Sequence, residues 1–352
     1  MPAKPCFGRP WVLCLAFLLS LQGASAPQSS LVRLVVIGDS GTGDEHQYRI
    51  AEQMVAWHDG LPYGLVLMLG DNIYGGVFGR GGGNKKDFEA KFDRPYAELL
   101  RRGVVFRAAL GNHDLQSRQG RDLIESTERF HIKSPQGYYS FTAGQFDAET
   151  PLVEFFVLNT LRLEKDKRDP EQLAWLGQAL TASRARWRIV YGHHPLYSTG
   201  KRHGSDVKLR EKLEPLLTGE TGGAQGPALP KPPARVGEGL VPSRASLGPR
   251  VQVVLAGHDH LYQRFHPQKG IVYFVCGSSG KLRRGNARRS PQVAAVEDQQ
   301  RAFMLWEATP EELRYRAINE QGQAFDCGVI RLGRVEAVGC AALGRGLTEA
   351  RD

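Results

Sequence analysis

Short apolar runs recur along the chain and predict buried β-strands, because turn residues bound the runs and each is too short for a buried helix. The predicted strands cover residues 31–37, 65–69, 104–110, 152–158, 187–191, 251–256 and 271–276. Segments with helical spacing of apolar residues lie between several of these runs. The predicted helices cover residues 45–58, 88–102, 170–182 and 207–217. Strands that alternate with helices indicate an α/β fold.

Two segments depart from this pattern. Residues 219–250 are rich in Gly and Pro and show no apolar period, so we interpret them as a surface insertion, with a functional lid as the alternative. Residues 314–332 alternate in character and are expected to form further strands. The chain then divides into one domain over residues 27–333 and a C-terminal extension over residues 334–352.

A glycine followed by polar residues stands directly after five of the predicted strands. These motifs are Gly38-Asp39-Ser40-Gly41, Gly70-Asp71-Asn72-Ile73-Tyr74, Gly111-Asn112-His113-Asp114, Gly192-His193-His194-Pro195 and Gly257-His258-Asp259-His260. The carboxyl ends of neighbouring strands in an open α/β sheet line one crevice, so the motifs are expected to converge there. Carboxylate, amide and imidazole donors without thiolates suit iron, manganese or zinc. One carboxylate can bridge two cations, an arrangement used for hydrolysis at phosphorus.

Composition and charge narrow the range of partners. The 352 residues are 41% hydrophobic and 24% charged, which is typical of a globular chain that can bury a sizeable core. The formal net charge of +9 favours anionic partners. The densest basic cluster contains Lys281, Arg283, Arg284, Arg288 and Arg289. It is either a solvated loop or a positive rim for phosphorylated substrates, and it lacks the interleaved aromatic residues of a nucleic-acid site.

The N-terminal residues have the features of a targeting segment. Lys4 and Arg9 precede an apolar run at residues 11–21, and Ala24-Ser25-Ala26 fits a cleavage site. Residues 1–26 are therefore predicted to be a signal peptide, with an uncleaved anchor as the alternative. The protein is expected to be secreted or periplasmic. No apolar run is long enough to span a bilayer, so no stable membrane anchor is expected in the mature chain.

Three cysteines follow the predicted cleavage site. Cys327 and Cys340 can form one disulfide in an oxidising compartment. Cys276 ends an apolar run and is predicted to be a buried thiol.

The five polar motifs, taken in order, resemble those of the calcineurin-like metallophosphoesterase superfamily. Within it, Tyr74 after Gly70-Asp71-Asn72-Ile73 makes the chain similar to small, tartrate-resistant purple acid phosphatases. The resemblance covers residues 31–330 without the 219–250 insertion. It implies a four-layered α/β/β/α sandwich of two mixed sheets, with helices outside and a dinuclear metal centre at one edge. In that architecture, residues 314–332 are expected to add strands to the second sheet.

The resemblance also implies roles for the motif residues. Asp39, Tyr74 and His260 would hold a first metal, usually ferric iron, and Asp71 would bridge to a second. The residues implied to hold this second, divalent metal (iron, zinc or manganese) are Asn112, His193 and His258. Because His193 directly follows its glycine, His194 is assigned to the wall of the site. Asp44 and Asp259 are interpreted as helix caps or as residues that orient ligands.

The implied reaction is hydrolysis of phosphate monoesters by a metal-bound hydroxide. His113 would contact the substrate and protonate the leaving group, with Asp114 assisting if it orients the His113 ring, and His203 would be a second substrate-side histidine. An ordinary histidine has a pKa near 6.5, so an acidic optimum is expected. The expected partners are small phosphomonoesters, with phosphoproteins as a further option, and the oligomeric state stays open. The alternatives are an enzyme acting on phosphodiesters or nucleotides, a metal-binding protein without turnover, and a secondary redox role.

Overall fold

The computed structural model describes Met1 and residues 30–75, 85–115, 127–165, 167–220, 250–332 and 334–344. The predicted signal peptide at residues 1–26 and most of the Gly- and Pro-rich insertion at residues 219–250 lie outside the described residues, apart from Met1 and the ends of the insertion. Among the described helices, none combines the length and the apolar character that crossing a membrane requires.

The described strands form two seven-stranded sheets. In chain order they are β1 (Val32–Ile37), β2 (Leu65–Met68), β3 (Val105–Ala108), β4 (Tyr139–Gln145), β5 (Pro151–Val157), β6 (Trp187–Tyr191), β7 (Val253–Ala256), β8 (Tyr262–Phe265), β9 (Val272–Cys276), β10 (Val293–Glu297), β11 (Ala302–Ala308), β12 (Leu313–Asn319), β13 (Ala324–Arg331) and β14 (Arg334–Ala337). The first sheet has the order β14-β13-β12-β11-β1-β2-β3, and the second has the order β10-β8-β9-β7-β6-β5-β4.

Both sheets are mixed. Strands β1, β2 and β3 are parallel, whereas β11 to β14 join them in antiparallel pairs. In the second sheet β5, β6, β7 and β9 are parallel, and β4, β8 and β10 are antiparallel to their neighbours. The two parallel blocks each present several carboxyl ends at one edge of their sheet.

Helices connect the parallel strands. They are α1 (Glu45–Gly60), α2 (Lys85–Phe88), α3 (Ala97–Arg101), α4 (Asn112–Leu115), α5 (Thr127–Phe130), α6 (Pro170–Ala182) and α7 (Val207–Thr218), with a π-helical turn at Glu89–Asp93 and 3₁₀ turns at Thr160–Arg162 and Cys340–Leu343. The side chains of Asp44, Asp169 and Asp206 accept hydrogen bonds from backbone N–H groups in the first turns of α1, α6 and α7, as N-caps do. The single helix predicted at residues 88–102 is instead a π-helical turn followed by α3, and Pro95 between them has no backbone N–H to continue a helix.

Two hydrophobic cores hold the layers together. Alternate residues of β5 to β9 face the first sheet, and the others face α6 and α7. In the outer core, leucines of α6 and α7 pack against this second set of strand residues. The helix leucines are Leu176, Leu180, Leu209, Leu213 and Leu217, and the strand residues are Phe156, Val190, Val254, Tyr273 and Val275. Ile50, Ala51 and Met54 of α1 pack into the core that includes the first sheet. The predicted four-layered α/β/β/α sandwich is confirmed.

The C-terminal strands differ from the prediction in their sheet. Strand β13 lies within the predicted segment 314–332 and β12 begins one residue before it, but both belong to the sheet that contains β1, because β11 returns antiparallel to β1 and each later strand pairs with the one before. Strand β14, at the start of the predicted extension 334–352, pairs with β13. A disulfide joins Cys327 of β13 to Cys340, so this part of the extension is tied to the first sheet.

We predict that Cys276 resists alkylation in the folded protein. Its thiol is buried at the end of β9, as the sequence indicated, and burial raises its pKa to about 12, so little thiolate exists at neutral pH. Treatment with iodoacetamide followed by peptide mass spectrometry should find Cys276 unmodified in native protein and modified after denaturation. Cys327 and Cys340 should require reductant as well, and rapid labelling of native Cys276 would contradict its buried position.

Candidate metal centre

The five glycine-led motifs meet at one crevice, but they come from both sheets. Three follow β1, β2 and β3 of the first sheet, and two follow β6 and β7 of the second. The motifs thus converge on one crevice as expected, and the two parallel blocks each contribute their carboxyl ends to it. The crevice lies where these two edges face each other.

Glycines before the polar residues allow the motifs to approach one another closely. A Cβ atom at Gly111 would overlap the backbone and carboxylate of Asp71. A Cβ atom at Gly70, which has a φ of +91°, would lie 2.6 Å from Nδ1 of His193. The motif glycines thus leave room for donors of a neighbouring motif, in addition to letting the chain turn.

Three of the donor residues have left-handed backbone conformations. Asp39, Asp71 and His258 have φ angles of 53°, 51° and 70°. Such conformations are uncommon for residues with a Cβ and cost on the order of 1–3 kcal/mol each. They persist because hydrogen bonds fix these turns, including those from His258 N–H to Asp39 (2.7 Å) and from His113 N–H to Asp71 (2.8 Å).

A first group of donors surrounds Asp39. The Tyr74 hydroxyl donates to Oδ1 of Asp39 at 3.0 Å and lies 3.3 Å from Nε2 of His260. The same His260 nitrogen is 3.4 Å from Oδ1 of Asp39. These three side chains therefore direct one phenol oxygen, one carboxylate oxygen and one imidazole nitrogen at the same small volume.

A second group surrounds His193. Its Nε2 atom lies 3.1 Å from Oδ1 of Asn112 and 3.1 Å from Nδ1 of His258. Asp71 lies between the two groups, because its Oδ1 is 3.5 Å from Nε2 of His193 and it also interacts with Tyr74. Ligand atoms of Asp39, Asp71 and His193 all fall within 4.8 Å of one another. All seven residues predicted as metal ligands are thus in one cluster.

The donor set of this cluster fits a pair of cations. Its carboxylate, phenol, amide and imidazole atoms include no thiolate, which suits iron, zinc or manganese. Two unprotonated imidazole nitrogens at 3.1 Å, as in His193 and His258, would repel each other without a shared proton or a cation. The chemistry and the spacing of the donors therefore agree with metal binding on both sides of Asp71.

The pKa values of Asp39 and Tyr74 are shifted in opposite directions by their surroundings. Burial would raise the pKa of Asp39, but its hydrogen bond to His260 and the nearby His193 outweigh burial and lower it. Burial raises the pKa of Tyr74 well above its usual value, and the Asp39 and Asp71 carboxylates add to the increase. A cation that offsets these carboxylates would favour the Tyr74 phenolate, so metal binding is expected to release protons.

His113 faces the open side of the cluster, and Asp114 does not contact its ring. The Nε2 atom of His113 lies 4.0 Å from Oδ2 of Asp71, the side chain is 29% exposed, and Nδ1 has no hydrogen-bond partner among the described residues. The Asp114 carboxylate instead accepts from the backbone of Asn72, Ile73 and Gly111 and from the Asn72 side chain. Burial and the neighbouring Asp71 raise the pKa of Asp114 to about 7. The hydrogen bonds of Asp114 therefore stabilise the turn that carries Asp71.

His194 and His203 flank His258 on the second side of the cluster. The ring centroids of His203 and His258 are 4.0 Å apart. His194 contacts Thr160 at 2.9 Å and Glu164 at 3.2 Å, and burial lowers its pKa to about 2, so it is a neutral wall residue. Asp259 accepts from Ser198 and from Gly204 N–H, which fixes the loop that carries His203.

Lys281 lies beside Tyr74, a position that the sequence analysis did not predict. It was one member of the basic cluster, but its backbone N–H donates to the carbonyl of Asp39 at 3.0 Å, and its ammonium lies 4.8 Å from the centroid of the Tyr74 ring. A cation over the face of an aromatic ring is attracted to it, and more strongly when the ring carries negative charge. The segment Gly277-Ser278-Ser279-Gly280 after β9 is the sequence feature that could have indicated this close approach.

Comparison with known proteins places the chain in a family. A family model for calcineurin-like phosphoesterases matches residues 32–262, and the chain belongs to this family. Tartrate-resistant acid phosphatase type 5 of Homo sapiens is 25% identical over 345 residues, which cover 89% of this chain and 94% of that protein. Purple acid phosphatase 17 of Arabidopsis thaliana is 27% identical over 277 residues, covering 72% of this chain and 70% of that protein.

Solved structures share the fold at low identity. Purple acid phosphatase PPD1 from yellow lupin seeds has a TM-score of 0.63 and 17% identity, covering 87% of this chain and 55% of that one. GAP50, the anchor in the inner membrane complex of Plasmodium, has a TM-score of 0.68 and 16% identity, covering 86% of this chain and 90% of that one. The family of the chain implies a dinuclear metal centre, and the clustered donors fit it.

We predict that Gly111→Ala disrupts this centre. The added Cβ must displace Asp71, so metal content measured by elemental analysis should fall below half of the wild-type value, and the melting temperature should drop. Gly177→Ala is the matched control, because a Cβ there meets only Leu216 at 3.6 Å and alanine favours the helix by about 0.5–1 kcal/mol. Full metal occupancy in Gly111→Ala would show that the crevice is wider than the structure indicates.

Proposed function

We propose that this chain is an exported acid phosphatase that hydrolyses phosphate monoesters at a dinuclear metal centre. The observation that carries the proposal is the convergence of donors on both sides of Asp71 at the floor of an open crevice. Membership of the calcineurin-like phosphoesterase family and similarity to tartrate-resistant acid phosphatase type 5 support it. The Cys327–Cys340 disulfide is consistent with export to an oxidising compartment.

The proposed ligand sets follow the two groups of donors. Asp39, Tyr74 and His260 hold one metal, Asp71 is shared, and the residues assigned to the other metal are Asn112, His193 and His258. A phenolate is a hard anionic donor, so Tyr74 favours ferric iron at the first position, with iron, zinc or manganese at the second. When bound, the two cations activate water near neutral pH and neutralise phosphoryl oxygens.

His113 is proposed as the general acid. It is held at the rim of the cluster by its own backbone hydrogen bond to Asp71, and its ring packs 4.7 Å from the Tyr74 ring. An imidazolium there can donate a proton to the oxygen of the leaving alcohol. His203 lies on the far side of His258 and is proposed to contact the substrate.

A cavity beside the metal centre is proposed to receive the leaving group. Its volume is about 690 Å³, and Asn112, His203 and His258 line the side next to the metals. Lys165 and Arg202 line it as well. Its acidic residues have partners, because Glu164 lies 2.6 Å from Lys167 and Asp206 accepts from the backbone N–H of Leu209 in α7. Lys165 and Arg202 therefore favour phosphomonoesters whose alcohol carries a further anionic group, which includes acidic phosphoproteins.

The alternative of a metal-binding protein without turnover has one observation in its favour. The similar structure of GAP50 is described as an anchor, so the fold also serves proteins in that role. His113 argues for turnover, because an imidazole at the open side of the donor cluster has no structural partner at Nδ1 among the described residues. Turnover of an aryl phosphate by metal-loaded protein decides between the two.

We predict that His113→Asn lowers kcat in a manner that depends on the leaving group. For an alkyl phosphate, whose alkoxide needs protonation, the loss should be about 10²- to 10⁴-fold at mildly acidic pH. For 4-nitrophenyl phosphate, whose phenolate leaves readily, the loss should be much smaller.

The matched control for this prediction is His266→Asn, which changes a histidine outside the described donor cluster. Both variants should retain two metals per chain by elemental analysis. Equal losses for the two substrates in His113→Asn would contradict its role as an acid, even if phosphatase activity itself is present.

We predict that the metal-loaded protein is coloured and that Tyr74→Phe removes the colour. A phenolate bound to ferric iron gives a broad visible charge-transfer band. Lys281→Gln should move this band to longer wavelength, because the ammonium over the ring stabilises the phenolate electrons. Visible spectra with iron analysis test both changes. A colourless wild-type protein that holds only zinc would overturn the assignment of Tyr74.

A further inference from the structure

A second cavity, of about 440 Å³, lies at the opposite end of the sandwich from the metal centre. Arg186 and Arg188 line it at the start of β6, whereas His193 follows the end of that strand. His193 stands five positions after Arg188, which is roughly 17 Å along an extended chain. The carboxyl end of β13 closes the same cavity, because β13 runs antiparallel to β1.

The lining of this cavity combines positive charge with apolar surface. It includes five arginines and no Asp or Glu among the described lining residues: Arg184, Arg186, Arg188, Arg331 and Arg334. Phe146 and Leu332 also line it, and they are 42% and 48% exposed, among the most exposed large apolar side chains of the described residues.

Three of these arginines already have carboxylate partners outside the lining. Arg184 lies 3.9 Å from Glu149, Arg331 lies 2.6 Å from Glu312, and Arg334 lies 3.1 Å from Glu336. For Arg186 and Arg188, no ion pair is found within the described part of the chain. Arg186 donates to the carbonyl of Pro310 at 2.7 Å and lies against the rings of Phe146 and Trp187.

Arg188 is the least compensated of the five. Its Nε atom is buried and has no hydrogen-bond partner among the described residues. Burial and the nearby Arg250 lower its pKa, and Glu154 on β5 offsets this only in part. A buried donor without a partner costs free energy, and in native proteins it commonly marks a bound water or ion.

We propose that this cavity binds an organic anion with a short apolar body, its head group on Arg186 and Arg188 and its apolar part against Phe146 and Leu332. The head group supplies the acceptor that Arg188 lacks, and the apolar part covers side chains that are otherwise in water. A small inorganic anion would supply only the acceptor for Arg188, and a neutral amphiphile would cover only the exposed apolar side chains. The site is independent of the proposed phosphatase reaction.

Titration of the metal-loaded protein with 1-octanesulfonate by isothermal calorimetry tests the proposal. This probe has the required charge and chain and is not a phosphate ester, so it cannot be hydrolysed as one. We expect one saturable site, with sulfate and octyl glucoside at least tenfold weaker. Arg188→Met should weaken binding roughly tenfold or more, because a charge-assisted hydrogen bond is lost. Arg49→Met, on α1 outside the cavity, should bind as wild type.

Thermal stability separates a binding role of Arg188 from a structural one. Arg188→Met removes a buried Nε donor without a partner and a charge that Glu154 offsets only in part, so without ligand its melting temperature should equal or exceed that of wild type. Octanesulfonate should raise the melting temperature of wild type and not of the variant. If Arg188→Met destabilises the fold, Arg186→Gln gives the binding comparison. Unchanged affinity in both variants, or loss of binding in Asp71→Asn, would overturn the proposal, the latter by placing the anion at the metal centre.

Discussion

The burial of two carboxylates side by side is the constraint on which this structure depends. Asp39 and Asp71 are almost completely buried, and a buried charge costs several kcal/mol unless opposite charge and hydrogen bonds compensate it. Backbone N–H groups of His113 and His258 supply part of the compensation. The second of these bonds crosses between the sheets, so satisfying the carboxylates also joins the two halves of the sandwich. Bound cations would complete the compensation of these buried charges, so metal binding would also stabilise the crevice.

Local strain at this crevice is supported by the layers around it. Left-handed turns at Asp39, Asp71 and His258 are unfavourable in isolation, and the neighbouring glycines allow contacts closer than any Cβ permits. The strands that carry these turns are buried on both faces, between the inner core and the helices. The framework is therefore rigid up to the last residue of each strand, and the donors are positioned by backbone rather than by long side chains. This explains why short residues such as Asp and Asn can form the cluster.

The sequence predicted the parallel strands and several helix starts, because each depends on a local pattern, and Asp169 with Pro170 marks the start of α6. The glycine-led motifs after the strands were also local, whereas the assignment of individual donors came from the family resemblance of those motifs. The sequence missed features that depend on distant pairing. Strand β4 was not predicted because most of its residues are only partly buried, so it has no continuous apolar run. The hydrogen bonds of Asp114 and the position of Lys281 over Tyr74 both require the folded turn, which spacing alone does not reveal.

The two ends of β6 show how one parallel strand serves different chemistry. Its carboxyl end presents His193 to the crevice, and its amino end presents Arg186 and Arg188 to the arginine-lined cavity. The distal wall of that cavity comes from Arg331 and Leu332, which antiparallel returns of the first sheet bring there. Arginines from separate chain segments meet there, and although Glu149, Glu312 and Glu336 pair with three of them, none of the described residues that line the cavity is acidic. An anion that binds there would stabilise the fold by mass action, and β6 is the element that joins its site to the metal centre.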